Sequence, residues 1–512
     1  VNVPAGGLLR LHSGAGRVAL TATVLASSVA LLDSTVANVA LPHIGEDLGG
    51  DLAGLQWVVT GYLLTLASFI LLGGALGDRY GRRRVFRIGA WWFGLASLAC
   101  ALAPSLTLLV AARLLQGVGA ALLTPTSLAL TQSSYVEDDR AAAVGAWSGL
   151  GGIAGAIGPL VGGWLVDGPG WRWAFLVNLP LVAGALVATR AVPAAADGDA
   201  HEAGARTHFD VLGALLAAAS LGTATWALTQ GPERGWSDPA IIVAAVTAVA
   251  AGVAFVVRQR VTAFPLVPHG LFASRTFTVL NVSTFALYAT LSAQFFLLAY
   301  QLQVGAGWSA LAAGSALLPS TLLMLVLSER SGALAARIGP RPQLVIGPLL
   351  IAAAQLLLAR LDESANWFTD VLPGAVLFGV GLVTFVAPLT AAVMGSVDPS
   401  HVGTASGVNN AVARTAGLVA VAVVPVVSGL TTAVGPDEVT QAYRIGMWIT
   451  AGSALVAALV SAVGLPRRTR QREGSRPYFC AVDGAPLQAG DELCHDVELG
   501  GGGAPGAARL PE

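Results

Sequence analysis

Residues Gly74–Arg84 read GALGDRYGRRR, and Gly332–Arg341 read GALAARIGPR, 258 positions further along. Six of the ten aligned positions agree. Gly145–Gly149 (GAWSG) and Gly403–Gly407 (GTASG) lie at the same offset of 258, and GVGAALLTP from Gly117 has a looser partner in GVGLVTFVAP from Gly379. Self-similarity at one offset marks a duplicated unit. Outward from these copies run apolar stretches of roughly 18–25 residues, enough to cross ~30 Å of hydrocarbon as helix. They fall near 18–41, 55–76, 85–103, 106–132, 141–166, 172–192, 210–230, 240–258, 276–301, 309–328, 341–360, 371–395, 404–430 and 441–464. That makes fourteen. The first repeat sets helix 2 against helix 10, and the second sets helix 5 against helix 13. The expected fold is an all-α polytopic membrane protein of two six-helix bundles with an inserted helix pair (6+2+6).

Composition supports this class. Of 512 residues, 55% are hydrophobic and 11% charged, with a mean hydropathy of +0.70. Such a chain has too little polar surface to be soluble and too little charge to be disordered. A net charge of −1 supplies no basic field for nucleic acid, so no nucleic-acid partner is expected. Three cysteines make no disulfide framework, and Cys480, Cys494 and His495 do not match a paired zinc pattern, so no metal is expected. No removable signal peptide is expected in the first 17 residues. All 28 basic residues are Arg, and 21 of them fall in the segments that share a side with the N-terminus, against 4 in the opposite loops. Positive residues collect on the cytoplasmic side, so both termini are expected there. The expected organisation is a cytoplasmic N-terminus (1–17), a first bundle (18–192), a linker with inserted helices 7 and 8 (193–275), a second bundle (276–464) and a disordered cytoplasmic tail (465–512).

Charges inside a bilayer are costly and mark function. Asp33 lies nine residues before Pro42, and Arg113 about eight past Ser105, so each sits ~12–13 Å below the outer face at 1.5 Å per residue. Equal depth allows them to pair if helices 1 and 4 are neighbours. Desolvation and a nearby Arg pull on such a carboxyl in opposite directions, which suits a group that takes up and releases a proton; a static ion pair is the alternative. Proton exchange requires this carboxyl to reach both aqueous phases in turn. After helix 2, Gly74 and Gly81 flank Asp78 and Arg79, and Arg82 follows, an acid among bases that can latch two bundles as well as anchor them. The second copy has Ala336 in place of Asp78. In helix 5, Gly151, Gly155, Gly158 and Gly162 form a bare stripe, with Pro159 and Gly163 beside it. Small residues let another helix approach backbone to backbone, as a tight contact or as a hinge or seal between bundles. Asn38, Gln116, Gln294 and Gln303 are the candidate polar lining of a substrate cavity. Arg414, about ten residues into helix 13, either faces that cavity or snorkels to the inner surface.

Together GALGDRYGRRR, LLDSTVANVALP (Leu31–Pro42), RLLQGVGAALLTP (Arg113–Pro125), GPLVGG (Gly158–Gly163) and WRWAFLVNLP (Trp171–Pro180) resemble the major facilitator superfamily, and within it the fourteen-helix drug–proton antiporters of the EmrB/QacA subfamily. The resemblance spans roughly residues 18–465. It implies the major facilitator fold, proton coupling at Asp33 and Arg113, a latch including Asp78 and Arg82, and an antiporter motif at Gly158 and Pro159. It implies export of small amphipathic drugs or antibiotics from the cell (cytoplasmic) membrane by a monomer driven by the proton gradient. No other cofactor is expected, and no GxxxxGK[ST] phosphate loop is present. No acid stands in the spanning core of helices 9–14, which points away from dicationic substrates. An uptake symporter is the alternative, and a membrane-embedded enzyme or receptor a more distant one.

Overall fold

The computed structural model describes residues 8–193, 210–263, 265–267, 269–397, 402–433 and 435–466. The helices, in chain order, are α1 (Gly14–Leu48), α2 (Leu52–Tyr80), α3 (Arg82–Ala101), α4 (Leu106–Ser134), α5 (Glu137–Asp167) and α6 (Trp173–Ala191, ending in a 3-10 turn). They continue with α7 (Val211–Arg234), α8 (Pro239–Val261), α9 (Arg275–Gly305, whose last turn is a π-turn), α10 (Leu318–Ile338) and α11 (Pro340–Leu358). The last are α12 (Leu372–Gly395), α13 (Val402–Val427) and α14 (Pro436–Gly464), and a short helix, Ala310–Ser315, precedes α10. Polar caps define many starts. Ser13, Asp51, Ser105, Asp210, Asp238 and Ser274 each accept a bond from a first-turn backbone N–H. Gly81 and Gly339, 258 residues apart, both adopt positive φ (+93° and +83°) and turn α2 into α3 and α10 into α11.

Packing repeats as the sequence does. α1 lies against α5 and α6, α2 and α3 against α4, and α3 against α6. Eight helices later, α9 lies against α13 and α14, α10 and α11 against α12, and α11 against α14. The inserted pair packs on itself, and α7 also lies against α2 and α13, so it flanks the seam between the halves. Asp210, buried at the start of α7, accepts Arg258 and Gln259 from the end of α8 and closes that pair.

One face of the molecule, called proximal below, carries the start of α1 and the α4–α5 turn, where Leu9 N–H donates to Ser134 O (2.8 Å). The distal face carries the end of α1, where Asp47 accepts Trp171 Nε1 (3.0 Å) and Arg172 Nη1 (2.5 Å) at the start of α6. Among the described residues, twelve helices are long and apolar enough to cross a membrane. The expected fourteen is therefore met only in part. α3 opens on Arg82, Arg83, Arg84 and Arg87, and the apolar part counted in α5 is Ile157–Asp167. The chain is a multi-pass membrane protein. The tail beyond residue 466 lies outside the described residues.

Candidate functional site

The first half holds a buried polar cage. α1 contributes Asp33, α3 Ser97, α4 Arg113 and Gln116, and α6 Asn178, all at most 1% exposed. The Arg113 guanidinium pairs with the Asp33 carboxylate through Nη1. On the other carboxylate oxygen, Gln116 Nε2 donates at 2.8 Å and Asn178 Nδ2 at 2.7 Å. Gln116 Nε2 also reaches Ser97 Oγ (2.8 Å), and Arg113 Nε donates to Val58 O (2.8 Å). The guanidinium lies 4.3 Å from the Tyr62 ring centroid and 5.6 Å from that of Phe175. A planar cation between aromatic faces and a carboxylate is well compensated for its loss of water. Below the cage the seam of α1 and α4 carries hydroxyl pairs: Ser27 with Ser127 at 2.6 Å and Thr131 with Thr23 at 2.8 Å.

Asp33 and Arg113 are thus brought together as their depths suggest. The expectation that Asp33 borders an aqueous path is not met in this conformation, because the carboxyl is turned into the first half and covered on every side. Gln116, expected in a substrate cavity, belongs to this cage. Gln294 is likewise displaced from the cavity. It is fully buried inside the second half, where its Oε1 accepts Gln355 Nε2 at 2.7 Å.

A cleft between the halves does exist. Thr35, Asn38 and Val39 of α1 line it with Pro159 of α5, Phe295, Leu298 and Ala299 of α9, and Ala313 and Gly314. Asn38 keeps its place in the cavity, and its Oδ1 has no hydrogen-bond partner. Gln303 closes the distal end, donating across the halves to Val39 O (3.0 Å).

The glycines of α5 serve two surfaces. A Cβ on Gly158 would collide with Thr35 Oγ1, and one on Gly162 would sit 3.0 Å from Val36, so both seat α1 within the first half. Gly163 faces the second half, where a Cβ would collide with Ala310 O. In return, a Cβ on Gly314 would collide with Pro159 O. Backbone therefore meets backbone at the distal end. Asp167, the last residue of α5, fastens this contact: its two carboxylate oxygens accept Ala310 N–H (2.9 Å) and Leu311 N–H (2.8 Å). Gly155 lies in α5, but its surroundings fall outside the described residues.

At the proximal end, Gly74 faces Pro125 of α4, and Gly81 makes the turn into α3. Arg79 lies over the Tyr80 ring at 5.2 Å, and Arg82 passes beneath Gly77. The Asp78 side chain lies outside the described residues.

Ser97, Asn178, Tyr62 and Asp167 were not singled out in the sequence. Two had signals. Asn178 stands in WRWAFLVNLP, and Asp167 is an acid at a helix C-terminus, where its own helix dipole disfavours it and an outside donor is required.

Duplicated bundles around a sealed cleft, with a caged ion pair in one of them, define a secondary transporter fold. The sequence profile of the Major Facilitator Superfamily matches residues 23–421 and 280–479, and the chain belongs to that family. Among curated relatives, the puromycin resistance protein pur8 of Streptomyces alboniger is 34% identical over 88% of this chain and 91% of its own length. A methylenomycin A resistance protein of Streptomyces coelicolor is 36% identical over 83% and 88%. The tetracenomycin C resistance and export protein of Streptomyces glaucescens is 32% identical over 88% and 84%. A crystal structure of the peptide transporter POT in complex with sulfate superposes with a TM-score of 0.62 at 16% identity, over 88% of this chain and 95% of that one, a likeness of fold alone.

Proposed function

We propose that the chain is a proton-coupled antiporter that exports small amphipathic drugs or antibiotics across the cytoplasmic membrane. The observation that carries this is the position of Asp33 on α1. Two and three residues further along, Thr35 and Val36 seat Gly158 and Gly162, and the adjoining Pro159 and Gly163 form the distal seal. Any movement of α1 that frees Asp33 from Arg113 disturbs the seat of that seal. Asp33 takes a proton from the outside while the distal contact is open, which removes its charge attraction to Arg113. Its release to the cytoplasmic side restores the Asp33–Arg113 pair with the distal contact closed, and accompanies movement of the cargo outward. The relatives named for antibiotic resistance and export support the direction of transport.

Fourteen spans in a 6+2+6 arrangement fit the connectivity. α2 ends on the proximal face and α4 begins on the distal one, so α3 crosses between them, and α5 does the same between α4 and α6. The arginine bias assigns the proximal face, with both termini, to the cytoplasm. Asp78, Arg79 and Arg82, with Gly74 and Gly81, form the latch on that face. The site is complete in one chain, which supports a monomer. One proton falling through ~100 mV yields ~2.3 kcal/mol, and one pH unit adds ~1.4 kcal/mol. Their sum sustains roughly a several-hundredfold gradient of a neutral cargo.

The test is a resistance screen in a pump-deficient host. Protection is expected, and a protonophore should remove it. Protection that survives the protonophore, or sensitisation in place of protection, overturns the proposal.

A further inference from the structure

The boundary between the halves carries a second ionisable group that the coupling scheme does not use. Arg414 stands twelve residues into the 26-residue helix α13, about 18 Å from its proximal end at 1.5 Å per residue. That distance is too long for its side chain to snorkel out. The face of α13 that holds Arg414 also holds Gly407 and Gly417. Gly407 meets Leu71 of α2, and Gly417 meets Ser292 of α9 and Leu63 of α2. Arg414 therefore points between α2 of the first half and α9 of the second. Tyr288 lies two turns before Phe295 on one face of α9, and Phe295 lines the distal apex of the cleft. Ser292, which Gly417 meets, lies one turn before Phe295 on α9, so Arg414 stands at the boundary between the halves on the proximal side of that cleft. Arg414 is half-buried, and it makes no ion pair or hydrogen bond with any described residue.

A guanidinium in the middle of a membrane helix without a counter-ion stands where water or a ligand anion reaches it. Asp33, the acid nearest in depth, is caged by Arg113, Gln116 and Asn178 on the far side of Tyr62 and is not available to neutralise Arg414. Resting on the export function proposed above, we propose that Arg414 is the anion-binding group of the substrate cleft. The cargo is then an amphiphile bearing one carboxylate or a comparably acidic oxygen, and its apolar part lies along Phe295 and Leu298. The flat fork of Arg binds two oxygens at once, which a Lys cannot do.

Inverted membrane vesicles containing the full chain test this with three fluorescent probes: 9-anthracenecarboxylate, its carboxamide and ethidium, each under an imposed proton gradient with a protonophore control. The carboxylate should be accumulated roughly 10-fold or more over the carboxamide, the range of a charge-assisted hydrogen-bonded contact. Arg414→Gln should raise the KM for the carboxylate by roughly the same factor and leave carboxamide transport within about twofold, with Arg414→Lys between the two. Ethidium carried in preference to the carboxylate overturns the inference and leaves the export function standing. Equal loss of all probes in Arg414→Gln, with the protein present at normal level, also overturns it, because that is the signature of a structural or coupling role. Protonophore-sensitive transport of none of the three by the unaltered chain overturns both.

Discussion

The two halves are built from one plan and filled differently. Where the first half places Arg113, Gln116, Ser97 and Asn178 around the Asp33 carboxylate, the second half has at the matching place an amide pair, Gln294 with Gln355. Gln355 stands 258 residues after Ser97. In the register of the looser repeat, Ala375 and Phe378 stand where the first half has Arg113 and Gln116, and both are fully buried. The helices pack alike in the two halves, so the fold needs no ion pair at this depth. An internal control of this kind separates what the architecture requires from what function has added. Among the described residues the ionisable cage sits in one half only.

The strongest way to break this contrast is at Asp33. Asp33→Asn strands a buried guanidinium, a defect of about 3–5 kcal/mol, and should abolish proton-driven transport and lower the protein level in membranes. Asp33→Asn combined with Arg113→Met removes both charges, as the second half has done. It should recover the protein level and leave transport at background. Transport at the unaltered rate by this double variant means the cage is architecture alone.

Next in size is the distal seal. Asp167→Ala removes the acceptor for two backbone N–H groups, a loss of about 1–2 kcal/mol. A cysteine placed at Ala313, 7% exposed in the sealed state, should then be labelled by a water-soluble maleimide roughly 5- to 30-fold faster. An unchanged rate assigns the seal to the glycine contacts alone.

A smaller effect is expected in the amide pair. Replacing Gln294 and Gln355 together by Leu should change stability by no more than about 1 kcal/mol and leave transport intact, whereas Gln355→Leu alone orphans a buried group at a cost of about 1–3 kcal/mol. Thermal unfolding in detergent reads both. A transport defect in the double variant gives the second half a part in coupling.

The smallest effect lies at the rim. On the distal surface of the second half a hydrogen bond to Asp437, and then the charge of that residue, hold Glu363 above the ordinary glutamate range. The folded state therefore keeps this proton to a higher pH than the unfolded chain does. Stability falls as pH rises through the titration of Glu363. Glu363→Gln should flatten the melting temperature across that window, and an unchanged slope would show that the pair does not share a proton.

Much of this was legible in the sequence because the signals were covalent and periodic. The 258-residue offset, the apolar stretches and the two lone charges at equal depth anticipate the duplicated packing and the Asp33–Arg113 pair. Ser97 and Tyr62 were not legible, because a hydroxyl in an apolar helix costs little and carries no mark of its partner. The faces of α1 were not legible either. Asp33 and Asn38 differ by five residues, which in a helix turns one into the bundle and the other into the cleft, and nothing in their spacing says which. Gln116 was misplaced for the same reason. It sits three residues from Arg113 and shares its face, so it joined the cage.

The uncompensated guanidinium of α13 has an electrical consequence. An anion leaving while a proton enters moves two charge equivalents in the same electrical sense. A potential of ~100 mV then contributes ~4.6 kcal/mol per cycle, twice its contribution for an uncharged cargo. For a monocation, one-for-one exchange with a proton is electroneutral and the voltage contributes nothing. On the proposal that Arg414 binds an anionic cargo, its exchange for a proton would draw mainly on voltage and would continue where the two sides of the membrane share the same pH.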